Sequence, residues 1–147
     1  MRKNIILVFL FLGICVFLSN CTRVNVRYDG VYYSEKSGYT SYIRFYNDGT
    51  VMTISSSDTI TVIKDVLTKE QNIDYAISKG EFKITRDRIL FSTESKNGTI
   101  DYDGQVFKNR LLLNVHSNIN GNESYNIQYL FSPEFKMQVQ RRPDKVF

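Results

Sequence analysis

From residue 30 onward, apolar and polar residues alternate with a period of two in short runs, and Gly, Asn and Asp punctuate the runs. Residues 41–46 put Ile43 and Phe45 on one face and Tyr42, Arg44 and Tyr46 on the other. Asn47, Asp48 and Gly49 then turn the chain, and residues 50–55 return. Residues 80–85 align Phe82 with Ile84, Arg86 and Asp87 form a turn, and residues 88–93 align Ile89 with Phe91. Asn97 and Gly98 turn the chain again. Runs follow at 99–102, 105–107, 111–117 and 124–131, with turns at Asp103-Gly104, at Lys108-Asn109 and across 118–123. With an early run at 31–33 this predicts about eight strands, in an all-β sheet closed on itself or in a sandwich.

One segment breaks the rhythm. Asp58 is placed to cap a helix in which Val62, Ile63, Val66 and Leu67 share one side and which ends near Gln71, giving a short helix near 58–70. The β-branched run 59–63 equally suits an extension of the preceding strand.

Three strings together resemble a bacterial lipocalin-like domain over roughly residues 29–131: Tyr42-Ile-Arg-Phe-Tyr-Asn-Asp-Gly-Thr-Val51; Gly80-Glu-Phe-Lys-Ile-Thr with Ile89-Leu-Phe-Ser92; and Gly98-Thr-Ile-Asp-Tyr-Asp-Gly104. The resemblance implies an antiparallel up-and-down barrel of about eight strands. Gly30-Val31-Tyr32 stands where lipocalins carry Gly-x-Trp, and no ligand-binding residue is carried over. An eight-stranded barrel is wide enough to be filled by side chains or to hold one small ligand. Phe45, Phe82, Phe91, Phe107 and Phe131 compete for this interior with Ile43, Ile84, Leu111, Leu113, Tyr125 and Ile127, so a mostly filled core with a shallow pocket at one mouth is expected.

Ahead of the barrel the chain changes character. Arg2 and Lys3 precede the apolar run 5–18, the pattern of an export signal. The run is shorter than the roughly 20 apolar residues that span a bilayer. Leu18-Ser19-Asn20-Cys21 then resembles a bacterial lipobox, whose Cys becomes the acylated first residue of the mature chain. The other reading is a plain secretory peptide or an uncleaved anchor. Cys15 and Cys21 are the two cysteines of the sequence, so a chain processed at Cys21 keeps no thiol pair for a disulfide and no Cys set for zinc. The expected organisation is a signal peptide at 1–20, a lipidated tether at 21–28, a barrel at 29–135 and a basic tail at 136–147. The expected location is the bacterial cell envelope, and Thr22 after the Cys resembles outer-membrane sorting.

Charge sharpens the picture. The full chain carries 19 Lys and Arg against 15 Asp and Glu, a formal +4. Removing Arg2 and Lys3 leaves 17 against 15, or +2. Residues 29–135 hold eleven basic and fourteen acidic residues, or −3. Basic residues gather at the ends, in Arg23 and Arg27 and in Lys136, Arg141, Arg142 and Lys145. A nucleic-acid groove needs clustered basic residues within the folded body, so nucleic acid is not an expected partner. The tail is read as solvated, with electrostatic support of a lipid anchor as the alternative.

Candidate chemistry is sparse. His116 is the only histidine, so any Ser-His-Asp arrangement or zinc site must use it, and it falls on the polar side of its run with Leu112 and Asn114. Asp101 and Asp103 lie about 6.6 Å apart along a strand, near the carboxyl separation of inverting glycosidases. Alternation equally makes them the solvent face opposite Ile100 and Tyr102. The loop 118–123 is rich in oxygen ligands but lacks EF-hand spacing, and reads as a hairpin loop. Tyr32, Tyr42 and Tyr46 could line the outside of neighbouring strands as a partner surface, or simply reflect the preference of Tyr for strands and cover under the helix.

The reading is therefore a non-enzymatic envelope lipoprotein, without metal or cofactor, anchored through Cys21, whose barrel binds an envelope protein or a modest ligand. The alternative is a carrier of a small hydrophobic ligand. A hydrolase using His116 or the Asp101 and Asp103 pair is the least favoured.

Overall fold

The structure, a computed structural model, describes residues 24–133. Cys21, the segment read as an export signal and the basic C-terminal residues lie outside the described residues. Eight strands follow in chain order: β1 (Gly30–Lys36), β2 (Tyr39–Phe45), β3 (Thr50–Ser56), β4 (Ile77–Thr85), β5 (Arg88–Ser95), β6 (Gly98–Phe107), β7 (Arg110–Ser117) and β8 (Glu123–Pro133). Each pairs antiparallel with the next, and β1 pairs with β8 to close the barrel, with Tyr32 opposite Phe131. One helix, α1 (Ile60–Val66), lies between β3 and β4.

The turns work as their residues dictate. Gly49 takes φ 92°, and Asp48 Oδ1 accepts the Thr50 amide at 3.1 Å, so the Asn-Asp-Gly signal is a true hairpin turn. Asp103-Gly104 is not a turn, and β6 runs straight through it. A Cβ at Gly104 would run into the Leu112 carbonyl of β7, so this glycine serves close strand approach, and that non-local contact overrides the local signal.

The ends of the barrel differ. At one end lie the 46–49, 86–87 and 108–109 turns and both ends of the described chain, since Gly30 pairs with Pro133. The segment before β1 plugs this end: Val26 is buried among the core residues, the Arg27 amide donates to Tyr32 Oη at 2.9 Å, and the Arg27 guanidinium lies 4.0 Å from the Phe131 ring centre. Above the plug, Tyr32, Phe45, Phe82, Phe91 and Phe131 pack mainly edge-to-face at 4.9–5.7 Å, the geometry that ring quadrupoles favour. Phe91 then stacks on Tyr102 at 4.4 Å.

A second core lies outside the barrel wall, under α1. Ile63 and Leu67 pack on Val31, Tyr42, Met52 and Ile77. Asp58 does not cap the helix; Thr59 is the N-cap, without a side-chain bond, and Asp58 Oδ2 instead accepts from Ser56 Oγ at 2.7 Å. The helix stops at Val66, where Arg44 Nη1 and Tyr46 Oη donate to the Leu67 carbonyl at 3.0 and 2.7 Å. Val62 points outward and is 48% exposed.

These packings overturn three sequence expectations about facing. Tyr32 is inside the barrel and Tyr42 is buried under α1, its Oη donating to the Asp58 carbonyl at 2.9 Å. With Tyr46 held to Leu67, the three tyrosines form no exposed stripe, and the reading of Tyr42 and Tyr46 as cover under the helix holds. Phe107 is outside, beneath the Arg110 guanidinium, because Val106 takes the inward place. Tyr125 is outside too. The β7–β8 register shifts between Leu113 and Val115, and Asn126 adopts φ 55° there. This bulge turns Tyr125 from the inward phase set by Ile127 and Tyr129 to the surface.

Candidate functional site

The end of the barrel opposite the plug is open. A cavity of about 580 Å³ enters there between the β1–β2 turn, residues 56–57 and the 118–122 loop, and a pocket of about 190 Å³ adjoins it on the β3–β4 side.

Its wall is built by the same alternation that builds the core. Going up the strands from the aromatic cluster, the inward positions change from mainly apolar residues to Ser and Thr on every strand but β6, where Tyr102 and Ile100 face in. Ser34, Ser41, Thr53, Ser55, Ser78, Thr93, Ser95, Ser117 and Ser124 supply inward hydroxyls from every strand but β6, and β6 supplies the Tyr102 phenol. Neighbouring strands bring them into contact: Ser41 Oγ lies 3.0 Å from Ser55 Oγ, and Thr53 Oγ1 lies 3.2 Å from Thr93 Oγ1. Ser34 is opposite Ser41 in the β1–β2 register, and Thr53 is opposite Ser78 in β3–β4. The result is a collar of hydroxyls around the upper interior.

Tyr102 and Tyr129 form the floor. Burial pushes the Tyr102 phenol up, against hydrogen bonds with Thr53 and Thr93. Burial likewise raises Tyr129, followed by the nearby Tyr102 phenol, while a Ser41 hydrogen bond opposes the rise. Both therefore stay protonated and neutral through the physiological range, as donors that can also accept. At the rim stand Tyr39, 42% exposed, and Tyr75, 70% exposed, with Ile119 beside them. Lys36, whose Nζ lies 6.0 Å from the Tyr39 ring centre, is the one charged side chain lining either cavity among the described residues.

The residues singled out for chemistry lie elsewhere, on the outer face. Cross-strand pairing sets Ser92, Asp101, His116 and Glu123 in one row. His116 Nδ1–H donates to Glu123 Oε1 at 3.0 Å, and the Tyr125 hydroxyl donates to the other oxygen of that carboxylate. Tyr125 first and His116 second hold the Glu123 carboxyl below its ordinary range. Asp101 accepts from Asn118 Nδ2 at 2.8 Å and is lowered by Ser92 and then Asn118. Asp103 forms a two-point pair with Arg88 at 2.9 and 2.6 Å and is lowered by it. Asp101 and Asp103 are thus each engaged in a different contact, as solvent-face residues of β6. In this row Ser92 stands beside Asp101 and away from His116, so the imidazole is not placed to take its proton. A groove of about 180 Å³ runs over these side chains between Leu90 and Tyr125. Among the described residues no group of three or more His, Cys, Asp or Glu is disposed to hold a metal ion.

The 118–123 segment is a hairpin loop. The Gly121 amide donates to the Ser117 carbonyl at 2.8 Å with Gly121 at φ 69°, and Asn120 Oδ1 accepts the Asn122 amide at 3.1 Å. Of the side-chain oxygens that suggested a cation, Asn120 Oδ1 is taken up by the turn and the Glu123 carboxylate by His116 and Tyr125.

The collar escaped the sequence reading because scattered Ser and Thr read as ordinary strand polar positions. The usable signal was phase: all of these hydroxyls but Ser124, which lies beyond the β8 bulge, share the phase of the core residues of their strands.

The closed, sequentially ordered antiparallel barrel is consistent with the lipocalin-like resemblance at the level of fold. No protein-family model matches the chain, and no curated protein or solved structure matches it either.

Proposed function

We propose that the protein is a bacterial envelope lipoprotein, acylated at Cys21, whose barrel is a non-enzymatic binding module that presents its open mouth away from the membrane. The observation that supports this most is the asymmetry of the barrel: the chain enters and leaves at the plugged end, and the cavity of about 580 Å³ opens at the other. An anchor a few residues before Val24 would hold the plugged end to the bilayer and leave the mouth free. In sequence the basic residues Lys136, Arg141, Arg142 and Lys145 follow Pro133, and a Lys or Arg near an anionic surface adds about 1 kcal/mol.

Metabolic labelling of the native chain and of Cys21→Ala with a clickable palmitate analogue tests the anchor. Label and membrane retention in the native chain, both lost in Cys21→Ala, are expected. No label in either, with equal membrane retention, overturns the lipoprotein reading.

A further inference from the structure

We infer that the mouth of the barrel takes a neutral, hydroxyl-rich ligand of mono- to disaccharide size, held by the hydroxyl collar and stacked against the rim tyrosines. This rests on the reading of the barrel as a binding module and specifies what it binds.

Three observations carry it. The first is the chemistry of the wall: on every strand but β6 the upper inward positions include Ser or Thr, over a floor of two phenols, with Ile100 and Val115 between them. Several of these groups already bond one another, as Ser41 does Ser55 and Thr53 does Thr93, and their remaining donors and acceptors face water when the cavity is empty. An aliphatic ligand would displace that water and replace none of its bonds, a penalty for each group left unmet. A ligand with several hydroxyls restores them, since each of its groups both donates and accepts, as do those of the collar.

The second is charge. Lys36 is the one charged lining residue among the described residues, and it sits at the rim against Tyr39. A buried ionic ligand would find no counter-charge deep in the cavity, whereas a neutral one needs none. The third is shape. About 580 Å³ lies within the range of small-molecule sites; Tyr39, 42% exposed, lines its edge, and Tyr75, 70% exposed, lines the adjoining pocket. A sugar ring presents hydroxyls around its edge and C–H groups on its faces, matching a wall in which the hydroxyls alternate with Ile100, Val115 and Ile119 beneath an aromatic rim.

The test uses the full chain in lauryldimethylamine oxide micelles, a detergent free of sugar. Saturation-transfer NMR is recorded with maltose, cellobiose, trehalose and N,N′-diacetylchitobiose. At least one disaccharide is expected to receive saturation, with binding about tenfold weaker in Tyr129→Phe and in Ser41→Ala. Both variants keep the side-chain volume close to native, and far-UV circular dichroism checks that they fold.

Absence of transfer to all four sugars overturns the inference, as does transfer that neither substitution weakens. Native mass spectrometry with palmitoleic acid separates the two levels of failure. A fatty-acid adduct that strengthens in Ser41→Val, without sugar binding, overturns the ligand class and leaves the binding module standing. Neither sugar nor fatty acid bound overturns both.

Discussion

Asn126 is where one residue decides which side chain faces out. Its φ of 55° belongs to the left-handed region, which Asn tolerates and Gly prefers, and its amide is received by Asn114 Oδ1 at 3.0 Å. Asn126→Ala is expected to cost about 1 kcal/mol and Asn126→Gly close to nothing, read from urea unfolding midpoints. If the two variants unfold alike, the bulge is not held by the backbone preference at this position. Asp48 works through charge: Lys69 and the Thr50 amide lower its carboxyl from 3.8 to about 2. A carboxyl lowered on folding contributes stability above its ordinary value and loses it as pH falls through the folded one. Thermal midpoints of Asp48→Asn should therefore sit slightly below native above pH 4 and converge with native near pH 2. Neither feature could be read in full from the sequence. The Asn-Asp-Gly turn was legible because its signal is local. The φ at Asn126 depends on how β7 and β8 come into register, which no local residue states.

At the scale of elements, alternation was legible wherever a strand has one buried face, as in β5, where Ile89, Phe91, Thr93 and Ser95 are buried and their neighbours exposed. It failed at Gly104, where an Asp-Gly pair lies inside a strand, and at Tyr125, beyond a bulge. The helix was legible as an element but not in its facing. Spacing put Val62 and Ile63 on one side, whereas Ile63 is buried and Val62 is exposed because the wall under α1 is the outer face of β1 to β4. Ile63→Ala is expected to cost about 2–4 kcal/mol through the cavity it leaves against Val31, Met52 and Ile77, and Val62→Ala less than about 0.5. Chemical denaturation checks both, and equal costs would mean that α1 is not seated on this face.

Across the whole molecule, stability and binding lie at opposite ends of one axis. The plugged end holds the aromatic cluster, and the open end holds polar groups that a filled core would not carry. Phe91→Ala should cost about 3–5 kcal/mol, while Ser124→Ala should stay within about 0.5 in the absence of ligand, both from denaturant unfolding. Comparable costs would mean that the mouth residues are structural. The strand order, read from the sequence as an up-and-down meander, also bears on how the chain folds. Seven ladders join strands adjacent in sequence, whereas the eighth joins β1 to β8 and spans the described chain from Gly30 to Pro133. Hairpins between sequence neighbours close short loops, and this last seam must close the longest one. A chain interrupted after residue 117 would therefore keep its hairpins yet expose two unsatisfied strand edges, β1 and β7, as templates for other chains. Release from aggregation risk waits for the final strand, whatever the rate at which the earlier ones form.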